Sequence, residues 1–491
     1  MNVQLKLTRN LLVVLTLAAG MNGFDSSVHA SSLSAQLTGP EENEAKTVYL
    51  FQEGVNLKSI VADIQKTDSG AVIDPIEEIA TLTVKASSIS QGVAVEKVVQ
   101  SKYGTLIEET GKDPTVTSGD VQPDGMRFMP PNKPKAVIQS AASPSQELNS
   151  EEDSLYKKWL WDIDLVTQNG ASYDIEGGNH DVKVGIVDSG LDFNHPDLKD
   201  NIVSTGRSFI DGVTDTQDYM GHGTMVAGSI AANGNIQGVA PGIGLVPYKV
   251  FHTGNADSSD VIEAIVTAAR DDMDVINLSL GVYKSLKNKE EKAVHKAYER
   301  ALKFAERENS FVVASAGTEN IGFDLSNAKE LAEARGYPGD AQLHMPGGLN
   351  RVYTVAATNK DNALTSYSNY GKNVSIGSPG GDFGPLADQG IYDVRYMTLT
   401  TYPTHLVQSP TSTYAGFEKG YEFMMGTSLA APKVSATAAL VIAEYEEVHG
   451  KKPKVREIKK LLDEGAMKAD SKKKFGPGII SAYDSLQAIG K

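Results

Sequence analysis

From about position 180 onward the chain alternates short, apolar, β-branched runs with longer stretches of helical spacing. Val-Lys-Val-Gly-Ile-Val-Asp at 182–188 is the first such run, and others fall at 245–251, 274–280, 311–315 and 352–357. Between them, 222–232, 257–271 and 287–308 set apolar residues three and four apart, the period of a helix with one buried face. Short apolar strands separated by helices predict a parallel sheet covered on both faces, an α/β domain. The helix at 287–308, charged along one side, reads as scaffold. Upstream the pattern differs. Residues 47–108 read as β-α-β-β-α-β, with strands at 47–51, 71–74, 79–84 and 105–107 around helices at 57–66 and 93–100. Between 109 and 154 periodicity lapses into Pro, Ser, Gly and acids, including Pro130-Pro-Asn-Lys-Pro134 and Ser150-Glu-Glu-Asp-Ser154, which predicts a flexible linker. Aromatic residues return from Tyr156 (Trp159, Trp161) and mark a second domain.

The N-terminus predicts export. Lys6 and Arg9 precede an apolar run from Leu11 to Ala19 that is too short to span a bilayer. Val28-His29-Ala30 then offers small residues at a signal-peptidase site, so a signal peptide over 1–30 is expected. No later run approaches 18 apolar residues, and the tail ending Ile489-Gly490-Lys491 carries neither a hydrophobic anchor nor a sorting motif. The chain is therefore expected to act outside the cell without a membrane anchor. Its 491 residues include 62 acidic and 46 basic side chains, and the net charge of −16 argues against a nucleic-acid partner. The acidity would favour approach of basic peptides, or simply suit a soluble secreted protein. Cysteine is absent, which excludes a disulfide framework, thiol catalysis and Cys-ligated metal.

Candidate chemistry begins at Gly426-Thr-Ser-Leu-Ala-Ala-Pro432. The apolar run that follows (Leu429, Val434, Ala438, Leu440, Val441) is helical, so Ser428 would stand at a helix N-terminus, among backbone donors and at the positive end of the dipole. Alone, such a Ser is equally a capping residue. Two further sites weigh against the cap. The 182–188 strand ends on Asp188, at the carboxyl end where open α/β sheets carry their sites. His222 opens a small-residue helix in Gly221-His-Gly-Thr-Met-Val-Ala-Gly228.

These segments, in the order Asp, His, Ser, resemble the subtilisin family of serine proteases. The similarity spans about 155–490 and takes in Asp188-Ser-Gly-Leu-Asp-Phe-Asn-His-Pro-Asp-Leu198, Gly238-Val-Ala-Pro241 and Asn277-Leu-Ser-Leu-Gly281. It implies a three-layer fold with a parallel central sheet, with Ser428 as nucleophile, His222 as base and then acid, and Asp188 orienting the imidazole. Ser279, Leu280 and Gly281 would form the edge that pairs with an extended peptide, with Gly317 and Gly336 completing the pocket for its P1 side chain. The 31–108 unit is similar to the ferredoxin-like propeptide of that family, which assists folding and inhibits the enzyme. That gives a signal peptide (1–30), a propeptide (31–108), a linker holding a processing site (109–154) and a peptidase domain (155–491), expected as a monomer. Ala142-Ser-Pro-Ser-Gln146 is the candidate processing segment.

Within the family, Trp159 to Tyr173, the long stretch from Ser378-Pro-Gly-Gly-Asp-Phe-Gly384 through Tyr396-Met-Thr-Leu-Thr-Thr-Tyr-Pro403, and Gly420-Tyr-Glu-Phe-Met-Met-Gly-Thr-Ser428 are similar to the leader peptidases of lantibiotic precursors. The alternatives are a broad-specificity extracellular protease and an inactive binding protein on the same fold; an intact Asp188, His222 and Ser428 set argues against the latter. Two departures stand out. Where the family has an Asn that donates to the oxyanion beside the Ser428 backbone N–H, this chain has Thr318, followed by Glu319 and Asn320. The segment after the catalytic His, Ala231-Ala-Asn-Gly-Asn-Ile-Gln-Gly238, is short for the calcium loop common in subtilisins. Asp197 matches one ligand, but a hard cation wants six to eight oxygens, so the usual strong calcium site is not expected; a weaker calcium site elsewhere stays open, and no cofactor is expected to be required. Asp324, Glu330 and Glu333 either select a basic P1 residue or form a solvated helix face.

Overall fold

A computed structural model of the chain describes residues 46–113, 155–252, 254–319, 321–469 and 471–490, together with the backbone pairing of three short strands, Val14–Leu15, Gln122–Pro123 and Ala136–Ile138. The expected signal-peptidase site, the Ala142–Gln146 segment and Asn320 lie outside the described residues.

The first unit has strands β1 (Lys46–Phe51), β2 (Val72–Ile76), β3 (Thr81–Lys85) and β4 (Ile107–Asp113), with helices α1 (Lys58–Thr67) and α2 (Ile89–Tyr103). The sheet is antiparallel in the order β2-β3-β1-β4, a ferredoxin-like arrangement. Strand β1 explains how this unit is held. Its Val48-Tyr-Leu-Phe51 stretch does not alternate with polar residues, as a strand with one wet face would. Tyr49 and Phe51 pack on Ile60, Ile64, Val95 and Val99 of its own helices. Val48 and Leu50, on the opposite face, enter a core shared with the second domain.

That domain is built on a seven-stranded parallel sheet from β5 (Lys183–Asp188), β6 (Arg207–Ser208), β7 (Gly244–Lys249), β8 (Val275–Leu278), β10 (Phe311–Ser315), β12 (Tyr353–Thr358) and β13 (Ile376–Pro379). Their order is β13-β12-β10-β8-β5-β7-β6. Sequence periodicity finds the five central strands within a residue or two at each end, except for the 274–280 run. The structure breaks that run after Leu278, and Leu280 starts β9 (Leu280–Ser285), which pairs antiparallel with β11 (Gln342–Met345). Helices α4 (His222–Ala231) and α8 (Thr427–His449) cover one face; α5 (Ser258–Arg270) and α6 (Lys292–Arg307) cover the other. Among the described residues no helix is long and apolar enough to cross a membrane.

The first unit sits on α5 and α6. Beyond the apolar contact, Arg300 of α6 donates to the carbonyls of Phe51 and Ile79 (2.7 and 2.9 Å), and Lys292 and Lys296 both reach Glu109 at 2.7 Å. Asp113 accepts the Ser259 N–H at 2.7 Å, placing a carboxylate on the N-terminus of α5. Next to it Lys46 bridges Asp257 (3.0 Å) and Asp260 (2.7 Å), and Lys284 lies 3.8 Å from Asp113. Three carboxylates thus share two amines in a buried seam. Burial pushes the Asp260 carboxyl up to about 7, with Lys46 opposing and Asp257 adding to the rise.

A carboxyl raised in the folded state contributes stability that is fully present below its unfolded pKa, near ~4, and lost as pH rises through the folded value. In a Ser428→Ala chain, the thermal midpoint should therefore fall more between pH 5 and pH 8 than in the same chain carrying Asp260→Asn. Parallel pH profiles for the two would show that Asp260 does not govern the seam.

Candidate active site

After Lys183, strand β5 is apolar until its last residue, and its parallel neighbours β7 and β8 carry Asp188 to the carboxyl edge of the sheet. Asp188 is fully buried and accepts the Ser189 N–H at 2.7 Å. His222, the first residue of α4, places Nδ1 2.9 Å from both Asp188 oxygens. This geometry fixes the proton on Nδ1 and leaves Nε2 as the basic nitrogen.

What aims His222 is a residue the sequence reading passed over. Asp218 is buried, and its Oδ1 accepts from Met220 N, Gly221 N and Ser189 Oγ (2.9, 2.8 and 2.9 Å). Its Oδ2 accepts from Thr224 N and Thr224 Oγ1 (2.9 and 2.7 Å). The carboxylate caps α4, whose own N-cap residue, Gly221, has no side chain to do so. Ser189 Oγ in turn accepts from Gly223 N at 2.8 Å, tying the turn after Asp188 to the helix start. The signal was present in the sequence as an acid ahead of the Gly-His-Gly-Thr helix start. Lys249, opposite Asp188 in the sheet, donates to the carbonyls of Ser189 and Gln217 (2.6 and 2.7 Å), and burial pulls its pKa down.

Ser428 is the second residue of α8, enclosed at 1 % exposure, and its hydroxyl makes no hydrogen bond among the described residues. Pro432 lies inside the helix, four residues beyond Ser428. Its missing N–H leaves the Ser428 carbonyl without its helical partner. Ser279 supplies the replacement: its Oγ donates to that carbonyl at 2.8 Å, itself accepting from Asn277 Nδ2 (2.9 Å), whose Oδ1 accepts from Ser435 Oγ (2.8 Å). The strand edge at Ser279–Gly281 is therefore keyed to the Ser428 helix.

Beside this edge, Gly281 and Gly317 face a common wall, and the side chain forming it is His344. A Cβ on Gly281 would collide with its Nε2, and one on Gly317 would stand 2.9 Å from it. Gly317 also holds φ of +104°, which favours glycine. Gly336, expected to close the pocket, does not: space around it is open and it lies after α7 (Ala328–Ala334) on the surface. The turn that reaches the pocket follows later, at His344-Met-Pro-Gly347, because β11 pairs with β9 and sets His344 opposite Tyr283. The three acids weighed for basic specificity are elsewhere engaged or exposed. Asp324 bonds Ser326 and Lys473, Glu330 bonds Asn327, and Glu333 is exposed.

Residues 179–478 match the family described as subtilase. This chain is a member of the subtilase family. It is 31 % identical to an epidermin leader peptide-processing serine protease of Staphylococcus epidermidis, over 93 % of this chain and 94 % of that protein. Among solved structures, a lanthipeptide protease is 36 % identical with a TM-score of 0.61, covering 67 % of this chain and 94 % of its own. The epidermin leader peptide processing serine protease of Staphylococcus aureus is 25 % identical with a TM-score of 0.71, covering 91 % and 99 %. The chain is thus a serine endopeptidase with the subtilisin-like α/β fold, close to proteases that process lantibiotic leaders.

Two departures of this subtilase can now be placed. Thr318 is buried with its Oγ1 accepting the Thr427 N–H at 2.9 Å and 2.9 Å from the Thr427 hydroxyl. Its hydroxyl thus lies against the residue preceding Ser428. Its one hydrogen can go to Thr427 or to an oxyanion, not to both. Asp197 takes its bonds from Asn235 N, Ile236 N and Tyr421 O–H (3.1, 3.0 and 2.9 Å). Those are donors closing a loop, not the oxygens of a cation cage, so the residues do not fit calcium here.

Because five donors converge on Asp218, Asp218→Ala strands buried N–H and O–H groups, each costing about 1–3 kcal/mol. Denaturant unfolding should show a loss of about 3 kcal/mol or more. A loss below about 1 kcal/mol would mean that the helix start does not depend on this cap.

Proposed function

We propose that the chain is a secreted zymogen whose peptidase domain removes the leader from a lantibiotic-type precursor peptide. The observation that carries the chemistry is the buried Asp188–His222 pair at the sheet edge, with an uncommitted Ser428 hydroxyl at the neighbouring helix start. In this reading Ser428 Oγ attacks the scissile carbonyl and His222 Nε2 takes its proton. Asp188 holds the tautomer and stabilises the imidazolium. The proton passes to the leaving amine, and water then hydrolyses the acyl-Ser428 ester. The Ser428 N–H is one oxyanion donor, and Thr318 is the second when Thr427 donates to it and frees its hydrogen. The Ser279–Gly281 edge holds the peptide by its main chain, with Gly317 beside the P1 side chain.

The substrate class rests on likeness along nearly the whole chain to a protease named for leader processing, a span that includes the ferredoxin-like unit. That unit would serve as the intramolecular inhibitor and folding assistant. Secretion rests on the N-terminal pattern at 1–30.

A fluorophosphonate probe should label the mature protein and fail on Ser428→Ala; no label on the mature wild type would end the serine-protease assignment. A leader–core precursor should be cut at one bond far faster than casein, and equal rates on both would point to a broad exoprotease instead. With Thr318 as a donor, Thr318→Val should lower kcat by ~10²–10³ with little change in KM, and an unchanged kcat would remove Thr318 from the oxyanion site.

A further inference from the structure

Ser279 holds the Ser428 carbonyl, and the next carbonyl of the same turn is also held by a side chain. Lys433 Nζ donates to the Leu429 carbonyl at 2.8 Å and stands 2.8 Å from Asp162 Oδ2. Lys433 is fully buried and Asp162 is 1 % exposed. The second Asp162 oxygen makes no hydrogen bond among the described residues, so the carboxylate is turned to Lys433.

Asp162 belongs to α3 (Trp161–Thr167), which opens the second domain. This helix is firmly seated. Ile163 and Val166 share a core with Ala430, Ala431 and Val434 of α8, and Trp159 stands edge-on to Phe423 with ring centroids 5.1 Å apart. Trp161 Nε1 donates to the Met397 carbonyl at 2.8 Å. Met397 leads into Thr398–Thr401, which pairs antiparallel with Tyr421–Met424, and the latter strand runs on to Gly426-Thr-Ser428. The α3 segment thus grips the chain on both sides of the nucleophile, by way of Trp161 ahead of it and Asp162–Lys433 behind it.

Stability alone does not call for an ion pair at this place. Taking two charges out of water costs about what their attraction returns, and an apolar pair of the same volume often holds a core equally well. An ion pair adds direction: the amine must point at both the Asp162 carboxylate and the Leu429 carbonyl. Ser428, with its hydroxyl and N–H, is the residue before that carbonyl. A shift of about 1 Å in a reacting group can cost ~10²-fold in rate. We infer that Asp162 and Lys433 are positioning residues for the reaction. Both are too buried to touch a peptide; together they fix the turn that carries Ser428 against α3, so that its hydroxyl and N–H meet the scissile carbonyl. This rests on the serine-protease reading above.

Removing one partner strands a buried charge, so either single variant loses stability whatever the pair does for catalysis. The decisive variant is the neutral pair Asp162→Leu with Lys433→Met, made as the full-length chain and assayed as mature protein well below its thermal midpoint. Its thermal midpoint should stay near that of wild type. On the peptide that wild type cuts best, kcat should fall by about tenfold or more with KM little changed, and fluorophosphonate should label Ser428 more slowly by a similar factor. A stable double variant with the wild-type kcat, whatever its KM, overturns the inference, because a merely structural pair would leave turnover alone. Where that variant does not fold, Asp162→Asn with Lys433→Met, which also removes both charges, is read in the same way. Failure of both to fold makes the pair a folding element and overturns its positioning role. Labelling of mature wild type separates this proposal from the reading beneath it: labelled wild type beside an unimpaired double variant sinks the proposal alone, whereas unlabelled wild type sinks the catalytic reading.

Discussion

The site depends on one buried carboxylate that would react with nothing. Asp218 gathers donors from the helix start at Met220, Gly221 and Thr224 and from the Ser189 hydroxyl beyond the strand end. A helix N-terminus leaves four N–H groups unpaired, and a charge there also meets the dipole favourably. By accepting two of them, from Gly221 and Thr224, while Ser189 takes Gly223, Asp218 lets small residues follow His222, so the helix packs against the β5 turn. Ser189 is the relay: it gives a hydrogen bond to Asp218 and takes one from Gly223. Without this knot, strand and helix would share the same sheet edge yet have no fixed angle between Asp188 and His222.

A second constraint comes from outside the peptidase domain. Strand β1 is apolar on both faces, and one of them is completed only by α5 and α6. These helices flank β8 and the start of β9, the strand edge that the proposed function assigns to the substrate. The charged seam around Lys46, Asp113, Asp257 and Asp260 lies at the start of α5, so charge as well as apolar contact seats the first unit there. A unit bound there is placed to feed its own following segment onto β9, where Gln122–Pro123 pairs.

Much of this was legible in the sequence. The five central strands follow from apolar runs bounded by turns, because a parallel strand buried on both faces has no other composition. The ferredoxin-like order follows from two helical periods set among four short strands. The positions of Asp188, His222 and Ser428 follow from strand ends and helix starts. Edge strand β6 escaped because two residues carry no pattern, and β13 because Ile376-Gly-Ser-Pro379 holds a single large apolar residue. Gly336 was misplaced because Gly336-Tyr-Pro-Gly339 looks like the pocket turn, whereas the strand pairing of β11 with β9 chooses His344-Met-Pro-Gly347. Asp218 went unread for a related reason: a capping acid separated from its helix by three residues has meaning only once the helix start is known.

Pro432 shows how a local defect becomes a reference point. A proline inside a helix removes one N–H and leaves the carbonyl four residues back without a partner. In α8 that carbonyl belongs to Ser428, and an orphaned buried carbonyl costs about 1–3 kcal/mol unless something donates to it. Ser279 does, from the strand edge, and Asn277 and Ser435 hold Ser279 in place. The helix carrying the hydroxyl and the β9 strand edge are therefore fixed to each other by a bond that a regular helix would have kept for itself. Any peptide that pairs with Leu280 and Gly281 has its next residue opposite Ser279, and so beside Ser428, whatever its side chains are.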